Sequence, residues 1–288
     1  MPVSPTDPMR LLGFEPLEGV APVTFLDAHR EGQLLALQAT VTKNVMSERA
    51  AVWEAMTGRL VWEPQDVCAL CWMPSGTEIL LVSETRGAAS IDQKVQASPS
   101  YSLERLTWPE KQLQWKSELT FSEGWPKFIV ASPIGAHLVA VWADQHSSGF
   151  EYFHLSSEGA VPMPGLGRRF NHHWIARPAF SPDGVLLFAA VTYAGWWKHT
   201  EPTDVNDDDL TFHCGEALSL SLATQQARPW FIPVTVSREW VAAQSEASDY
   251  EYGIGTPEFV NLRSVRLPLP VGAAVTFPID FSWVKGNV

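Results

Sequence analysis

Cysteine is scarce in this 288-residue chain, which also has neither a long apolar run nor a cluster of basic residues. The three cysteines, Cys68, Cys71 and Cys214, are too few for a disulfide framework and odd in number, which predicts a reducing compartment and a cytoplasmic location. Because no stretch of about 18 apolar residues occurs, no membrane-spanning segment is predicted. The segment Met1–Pro8 lacks a basic region followed by an apolar stretch, so no signal peptide is predicted either.

Positive charge is also in short supply. Lysine and arginine total 20 against 32 aspartates and glutamates, for a net charge of −12. A nucleic-acid partner usually requires a basic face, so none is predicted, and an acidic membrane surface is disfavoured for the same reason. Tryptophan, by contrast, is abundant at 13 residues, and 45% of the chain is hydrophobic. This composition indicates a globular protein, and repeated large aromatics favour stacked sheets over a helical bundle.

The segment Arg177–Val191 gives the clearest structural signal, a strand, a tight turn and a second strand. The turn is Ser181-Pro182-Asp183-Gly184, in which proline presets φ, aspartate bonds to its own backbone, and Gly184 is expected to hold a positive φ. The apolar run Val185–Val191 is of strand length and predicts a strand buried on both faces.

This hairpin pattern recurs along the chain with glycine at the same turn position. The copies are Val23–Leu37, Ala69–Val82 and Phe128–Val141. Two weaker copies are Phe231–Ala242, which has no glycine, and Ile279–Gly286, which resembles only the first strand and turn. The turn glycines lie about fifty residues apart, which leaves room for two more strands between hairpins and is typical of a propeller blade. The sequence therefore predicts an all-β protein, a β-propeller of four-stranded antiparallel blades, with five blades favoured and six as the alternative. A single domain over residues 1–288 is expected, with a short N-terminal extension at residues 1–9.

One outer-strand segment resembles the WD-repeat family. Val52-Trp53-Glu54 is followed by Thr57-Gly58 and a further strand, and Phe150–Gly159 and Ala217–Arg228 are looser versions. The resemblance covers about residues 20–242, but the Gly-His pair that opens a standard WD repeat is absent from every copy, so the buried hydrogen-bond network of that family is not expected here. The resemblance implies a non-catalytic protein–protein interaction scaffold that binds partners through its faces and loops.

The longest polar insertion in the blade pattern follows Trp196 and Trp197 and runs from Lys198 to Asp209. If the two tryptophans lie on a strand, one side chain faces outward and is a candidate anchor for a partner; the alternative is that both pack between blades. The predicted partner-binding residues are Trp196, Trp197, Asp207, Asp208, Asp209 and Phe212, with the three aspartates steering a basic protein partner. A solvated loop without a binding role is the other interpretation.

No metal site and no cofactor are predicted. Three sequence patterns bear on this prediction. Cys68 and Cys71 have zinc-like spacing, but residues three apart on a strand face opposite ways, so both are expected to be small buried residues. The run Asp204–Asp209 lacks the glycine of a calcium-binding EF-hand loop, which leaves a solvated acidic loop or a looser cation site. The third pattern is a group of four histidines and one cysteine in or beside one blade. They are interpreted either as strand-edge and loop residues or as zinc ligands or general bases. The residues are His172, His173, His199, His213 and Cys214.

No sequence motif of a hydrolase or a nucleotide-binding protein occurs, so no catalytic residue is predicted. Two alternatives to the scaffold remain. One is a glycosidase-like propeller hydrolase that uses channel carboxylates, for which Asp27, Asp144 and Asp183 are the candidates; the other is a small-ligand or sugar binder that uses an exposed tryptophan.

Overall fold

Antiparallel β-sheets account for nearly all regular structure of the protein. The computed structural model describes residues 14–17, 24–43, 45–85, 100–121, 124–144, 147–171, 173–206, 208–244, 254–262, 264–269 and 274–279. These residues belong to two compact units, Met1–Trp142 with Glu151–Pro164 and Ala143–Phe150 with Gly165–Val288. The single domain remains a prediction, and the extension at residues 1–9 lies outside the described residues.

The first two sheets each have four antiparallel strands in chain order. The first contains β1 (Thr24–Ala28), β2 (Leu34–Lys43), β3 (Val45–Glu54) and β4 (Leu60–Trp62). The second contains β5 (Val67–Trp72), β6 (Glu78–Thr85), β7 (Ser100–Thr107) and β8 (Leu113–Leu119). This four-stranded order is that of a propeller blade.

The third and fourth sheets keep the same order and carry additions. The third contains β9 (Trp125–Ala131), β10 (His137–Ala143), β11 (Ser147–Leu155) and β12 (Ala160–Pro162), and β13 (Arg168–Asn171) also pairs with β11. The fourth begins with two short strands that both pair with β16, namely β14 (His173–Ile175) and β15 (Ala179–Phe180). It continues with β16 (Leu186–Tyr193), β17 (Asp204–Val205), β18 (Asp209–Ser221) and β19 (Ala227–Ser237).

The described C-terminal residues form a fifth sheet of three strands, β20 (Glu258–Asn261), β21 (Ser264–Pro268) and β22 (Ala274–Pro278). Helix α1 (Trp196–His199) lies between β16 and β17 in the sequence, and helix α2 (Arg238–Ala243) follows β19. The all-β class with four-stranded antiparallel blades, predicted from the sequence, is confirmed, whereas the blade number remains a prediction.

The four strong hairpin copies share one turn geometry. Their glycines, Gly32, Gly76, Gly135 and Gly184, have φ between 68° and 74°. In each turn the glycine N–H donates to the carbonyl three residues earlier, over 2.7–2.9 Å. The predicted positive φ of Gly184 is confirmed at 70°.

The apolar run after Gly184 is buried on both faces, as predicted. Every residue from Leu186 to Val191 is at most 2% exposed. Leu186, Phe188 and Ala190 pack into the core cluster of the second unit, together with residues of β18, β19, β21 and β22.

The prediction of a hairpin at the weaker copy, Phe231–Ala242, is wrong. Its first strand is the end of β19, but the chain then enters α2 instead of a second strand. Ser237 caps this helix, because its side chain accepts a hydrogen bond from the Trp240 N–H over 3.1 Å. In the other weaker copy, Ile279–Gly286, only Ile279 lies among the described residues.

The segment that resembles a WD repeat forms the predicted strand, turn and strand. Trp53 ends a buried run on β3, Gly58 has φ 69°, and β4 follows. The Trp53 indole N–H donates to the main-chain oxygen of Glu15 over 2.9 Å, and the Glu15 N–H donates to Gly58. A backbone segment near the N-terminus thus satisfies the buried indole.

No helix among the described residues is long and apolar enough to cross a membrane.

Candidate interaction surface

The predicted tryptophan pair lies on a short helix rather than on a strand. Gly195, in the left-handed region at φ 57°, turns the chain out of β16 and into α1. Trp196 is fully buried and Trp197 is 5% exposed, so the prediction of one exposed tryptophan anchor is wrong and the alternative of two packed rings holds. The reason is geometric: successive helical residues lie about 100° apart, so both rings turn into the same core.

Four aromatic rings make up this part of the core, defined here as the Trp196 cluster: Trp196, Trp197, Phe212 and Trp240. The Trp196 and Trp240 rings are stacked, 5.7 Å apart and 8° from parallel, while Trp197 meets Trp196 edge-on at 5.4 Å. Phe212, the other apolar residue predicted to bind a partner, is 3% exposed and packs on Trp196 at 5.6 Å. These rings therefore support the structure and are not available as contact residues.

The polar insertion is more ordered than a simple connection between strands. β17 pairs with the start of β18, with Asp204 opposite Thr211, so part of the predicted loop is a small hairpin. The Asn206 N–H donates to the Asp209 oxygen over 2.9 Å, and the Thr203 N–H donates to the Thr211 oxygen over 2.6 Å. We call residues 203–211 the acidic hairpin.

The acidic hairpin is also attached to the second helix. The Arg238 N–H, at the start of α2, donates to the Asp208 main-chain oxygen over 3.1 Å. Asp209 pairs with Ser237 across β18 and β19. Since Trp240 of α2 belongs to the Trp196 cluster, the packed rings and the hairpin are connected through one short helix.

Carboxylates dominate the exposed side chains of this region. Glu201, Asp204, Asp208 and Asp209 are all exposed, and Asp207 lies outside the described residues. Nearby cations are Lys198, whose ammonium lies 5.7 Å from the centre of the Trp197 ring, and Arg238, whose guanidinium reaches the Asn206 oxygen at 3.5 Å. The carboxylates outnumber these cations, so the local potential is negative.

The candidate metal ligands do not converge among the described residues. No group of three or more His, Cys, Asp or Glu side chains in the described parts of the chain is placed to hold a metal ion. His172 is outside those residues and the side chain of His173 is not described; His199 is exposed, and His213 stacks on Phe231 at 4.9 Å. Cys214 is buried at a bulge of β18, and burial raises the pKa of its thiol to about 12.

The cysteine pair on β5 does not follow strict strand alternation. The register shifts between Val67 and Ala69, so Cys68 occupies a bulge. As a result Cys68 and Cys71 both pack into one core cluster, which corrects the prediction that they face opposite ways. Both thiols are buried, as predicted, neither forms a disulfide, and Cys68 donates to the Val82 oxygen over 3.2 Å.

The three candidate carboxylates of the alternative hydrolase prediction, Asp27, Asp144 and Asp183, all accept hydrogen bonds within the fold. Asp27 accepts the Trp72 N–H over 2.9 Å, and Asp144 accepts both the N–H and the hydroxyl of Ser147. Asp183 accepts the Ser181 hydroxyl inside the hairpin turn. Turn geometry thus accounts for Asp144 and Asp183, whereas Asp27 joins β1 to β5 of the second sheet.

Two groups of side chains that meet in the structure were not predicted from the sequence. One is Trp62, Trp108 and Lys111, beside the hairpin turns of the first two sheets. The other is His137, Tyr152 and His154 on the third sheet. Trp108 and Lys111 belong to one turn, Trp108-Pro109-Glu110-Lys111, which was a local signal. Trp62 meets them from the first sheet, and His137 meets Tyr152 and His154 from a neighbouring strand, so these contacts depend on the fold.

No protein-family model and no curated protein sequence matches the chain. Among solved structures it is similar to TolB from Acinetobacter baumannii, at 13% identity and a TM-score of 0.43, over 74% of this chain and 43% of TolB. It is also similar to a Dos1 propeller, at 12% identity and 0.48, over 91% of this chain and 56% of that one. A third similar structure is the periplasmic gluconolactonase PpgL of Pseudomonas aeruginosa, at 13% and 0.46, over 90% and 69%. The chain spans less than half of the TolB structure, and these similarities do not assign it to a family.

Proposed function

We propose that the protein is a non-catalytic, WD-like interaction module that binds a basic protein partner through the acidic hairpin. The observation that carries this proposal is an exposed row of carboxylates on a hairpin whose main chain is fixed by hydrogen bonds to β18 and α2. The contact residues are Asp208 and Asp209, together with Asp204, which was not among the predicted binding residues.

A fixed hairpin favours binding because little conformational entropy is lost when the partner docks. The exposed carboxylates increase the rate of encounter with a basic surface, since opposite charges attract over about 8–10 Å at physiological salt. Packing of the rings in the Trp196 cluster holds α1, β18 and α2 in place.

The negative charge of the chain is the reason for proposing a basic partner. The whole chain carries a net charge of −12, and the acidic hairpin adds a local concentration of the same sign. We also propose a cytoplasmic location, on the basis of the low and odd cysteine number, and cell fractionation tests it.

The test changes charge without touching the packed rings. The triple variant Asp204→Asn, Asp208→Asn, Asp209→Asn removes three exposed carboxylates and leaves the Trp196 cluster intact. A matched control, Glu31→Gln, Glu118→Gln, Glu158→Gln, changes the net charge equally at exposed positions of the first unit. We expect quantitative pulldowns from the native cell to lose partners with the hairpin variant only, and that binding weakens as salt rises.

The same partners retained at equal affinity by both variants, with the same salt dependence, would contradict the proposal. Replacing Lys198 to Asp209 by a short linker is a poorer test, because it removes part of α1 and the first residue of β18.

A further inference from the structure

The Lys111 ammonium lies over the rings of both Trp62 and Trp108. Trp62 is the last residue of β4 and Trp108 follows β7, and their ring centres are 5.7 Å apart with a tilt of 51°. The Lys111 ammonium lies 5.3 Å from the centre of the Trp62 ring and 5.5 Å from that of Trp108. Both distances are within the range of about 6 Å in which a cation is attracted to an aromatic face.

Trp108 is held in place from behind, and both rings pack on a buried core cluster. Trp108 meets the buried Trp72 edge-on at 4.8 Å, and Trp72 meets His29 at 4.9 Å. The Trp108 N–H donates to the Thr77 oxygen over 2.8 Å, which ties its main chain to the adjacent hairpin turn. The arrangement therefore exists before any ligand binds.

Lys111 itself occupies an unusual main-chain position. Its φ is 59°, in the left-handed region that residues with a Cβ rarely adopt, and its N–H donates to the Thr107 oxygen over 2.9 Å. The lysine is exposed while Trp62 and Trp108 are half-buried, so the ammonium group can leave for water without opening the core.

We propose that Trp62 and Trp108 form a binding site for a quaternary or methylated ammonium group, which Lys111 fills in the absence of ligand. A lysine ammonium is strongly hydrated and regains its water on leaving. A quaternary ammonium has the same charge with weak hydration, and its methyl groups also bury apolar surface against the rings. The exchange of one cation for the other is therefore favourable. The net charge of −12 and the exposed Glu110 in the same turn favour a cationic ligand further.

Two sources supply this chemistry, a free quaternary amine and a trimethylated lysine side chain of another protein. The experiment titrates choline, tetramethylammonium and a short peptide with trimethyl-lysine into the full chain, with the unmodified peptide as reference. Calorimetry gives the affinity, and tryptophan fluorescence reports on the rings. Saturable binding of choline or tetramethylammonium indicates a small-molecule site, and binding of the methylated peptide alone indicates a protein partner; each supports the proposal.

Variants identify the site. Trp62→Leu or Trp108→Leu is expected to weaken binding roughly two- to thirty-fold, from the usual strength of cation–π contacts. Lys111→Ala is expected to tighten it, because the competing cation is removed; this variant leaves both rings in place. The matched controls are Trp125→Leu and Lys127→Ala, at a surface where a lysine lies 5.4 Å from the centre of a single tryptophan ring.

Three results would overturn the proposal: no saturable binding of any probe, binding of the peptides alone with equal affinity for the methylated and unmodified forms, or unchanged affinity of the bound probe in Lys111→Ala. If the tryptophan variants unfold, the lysine variant and its control alone decide the outcome.

Discussion

His137 on β10 combines burial with an unsatisfied polar atom. Neither its Nδ1 nor the hydroxyl of Tyr152 has a hydrogen-bond partner among the described residues, and their ring centres are 5.6 Å apart. Burial lowers the pKa of His137, and His154, with its ring centre 5.4 Å away, lowers it further. Burial likewise raises the pKa of Tyr152. The neutral imidazole is therefore the form that the folded state favours.

This environment predicts a stability that falls in mild acid. Because the folded pKa of His137 is below the unfolded value of about 6.5, the unfolded chain takes up the proton more readily, and stability is lost as pH falls below that value. We expect the drop in Tm between about pH 7 and 5 to be smaller in His137→Gln than in the wild type. His199→Gln, at an exposed histidine, serves as the control and is expected to keep the wild-type drop. Equal drops in all three proteins would contradict the prediction.

At the level of elements, the hairpin turn is the repeated unit of the chain. The turn glycine adopts nearly the same φ in four sheets, and the same hydrogen bond closes each turn. At these positions a Cβ is unfavourable, because L-residues pay about 1–2 kcal/mol in the left-handed region.

Two turn glycines test the main-chain cost of a positive φ. Gly32 has φ 68° and no heavy atom within 4 Å of where a Cβ would lie, so Gly32→Ala is expected to cost about 1–2 kcal/mol in the free energy of unfolding. Gly184→Ala, at a buried turn, is expected to cost about 1 kcal/mol or more. Gly32→Asn is the control and should cost less, since asparagine tolerates the left-handed region. Denaturant unfolding measures all three, and unchanged stability in both alanine variants would refute the turn assignment.

On the scale of the whole molecule, strands dominate the described residues of both units, and the helices found there are two short segments, one within and one after the fourth sheet in the sequence. We expect far-ultraviolet circular dichroism of the intact chain to show a strand-dominated spectrum with little helix. A helix content above about a third would be that of an ordinary mixed protein and would contradict the fold.

Local sequence patterns were sufficient to predict the hairpins of the sheets. Glycine at a fixed turn position, flanked by apolar runs of strand length, identified four hairpins, because turn chemistry and strand alternation act within a few residues. Burial of Cys68 and Cys71 also followed from composition alone. The errors arose where a local feature interrupted the alternation: the bulge at Cys68, the capped helix after Ser237, and the turn of helix after Gly195.

The sequence by itself determined the all-β class, the turns, and the acidity of residues 204–209, because each depends on residue type and short-range spacing. Tertiary structure decided which of those residues are exposed. Trp196 and Trp197 were candidate contacts until α1 turned both into the core, and the carboxylates beside them became the surface. Tertiary structure also brought Trp62 to the turn that contains Trp108 and Lys111, since Trp62 and that turn belong to different sheets and no short-range pattern specifies their contact.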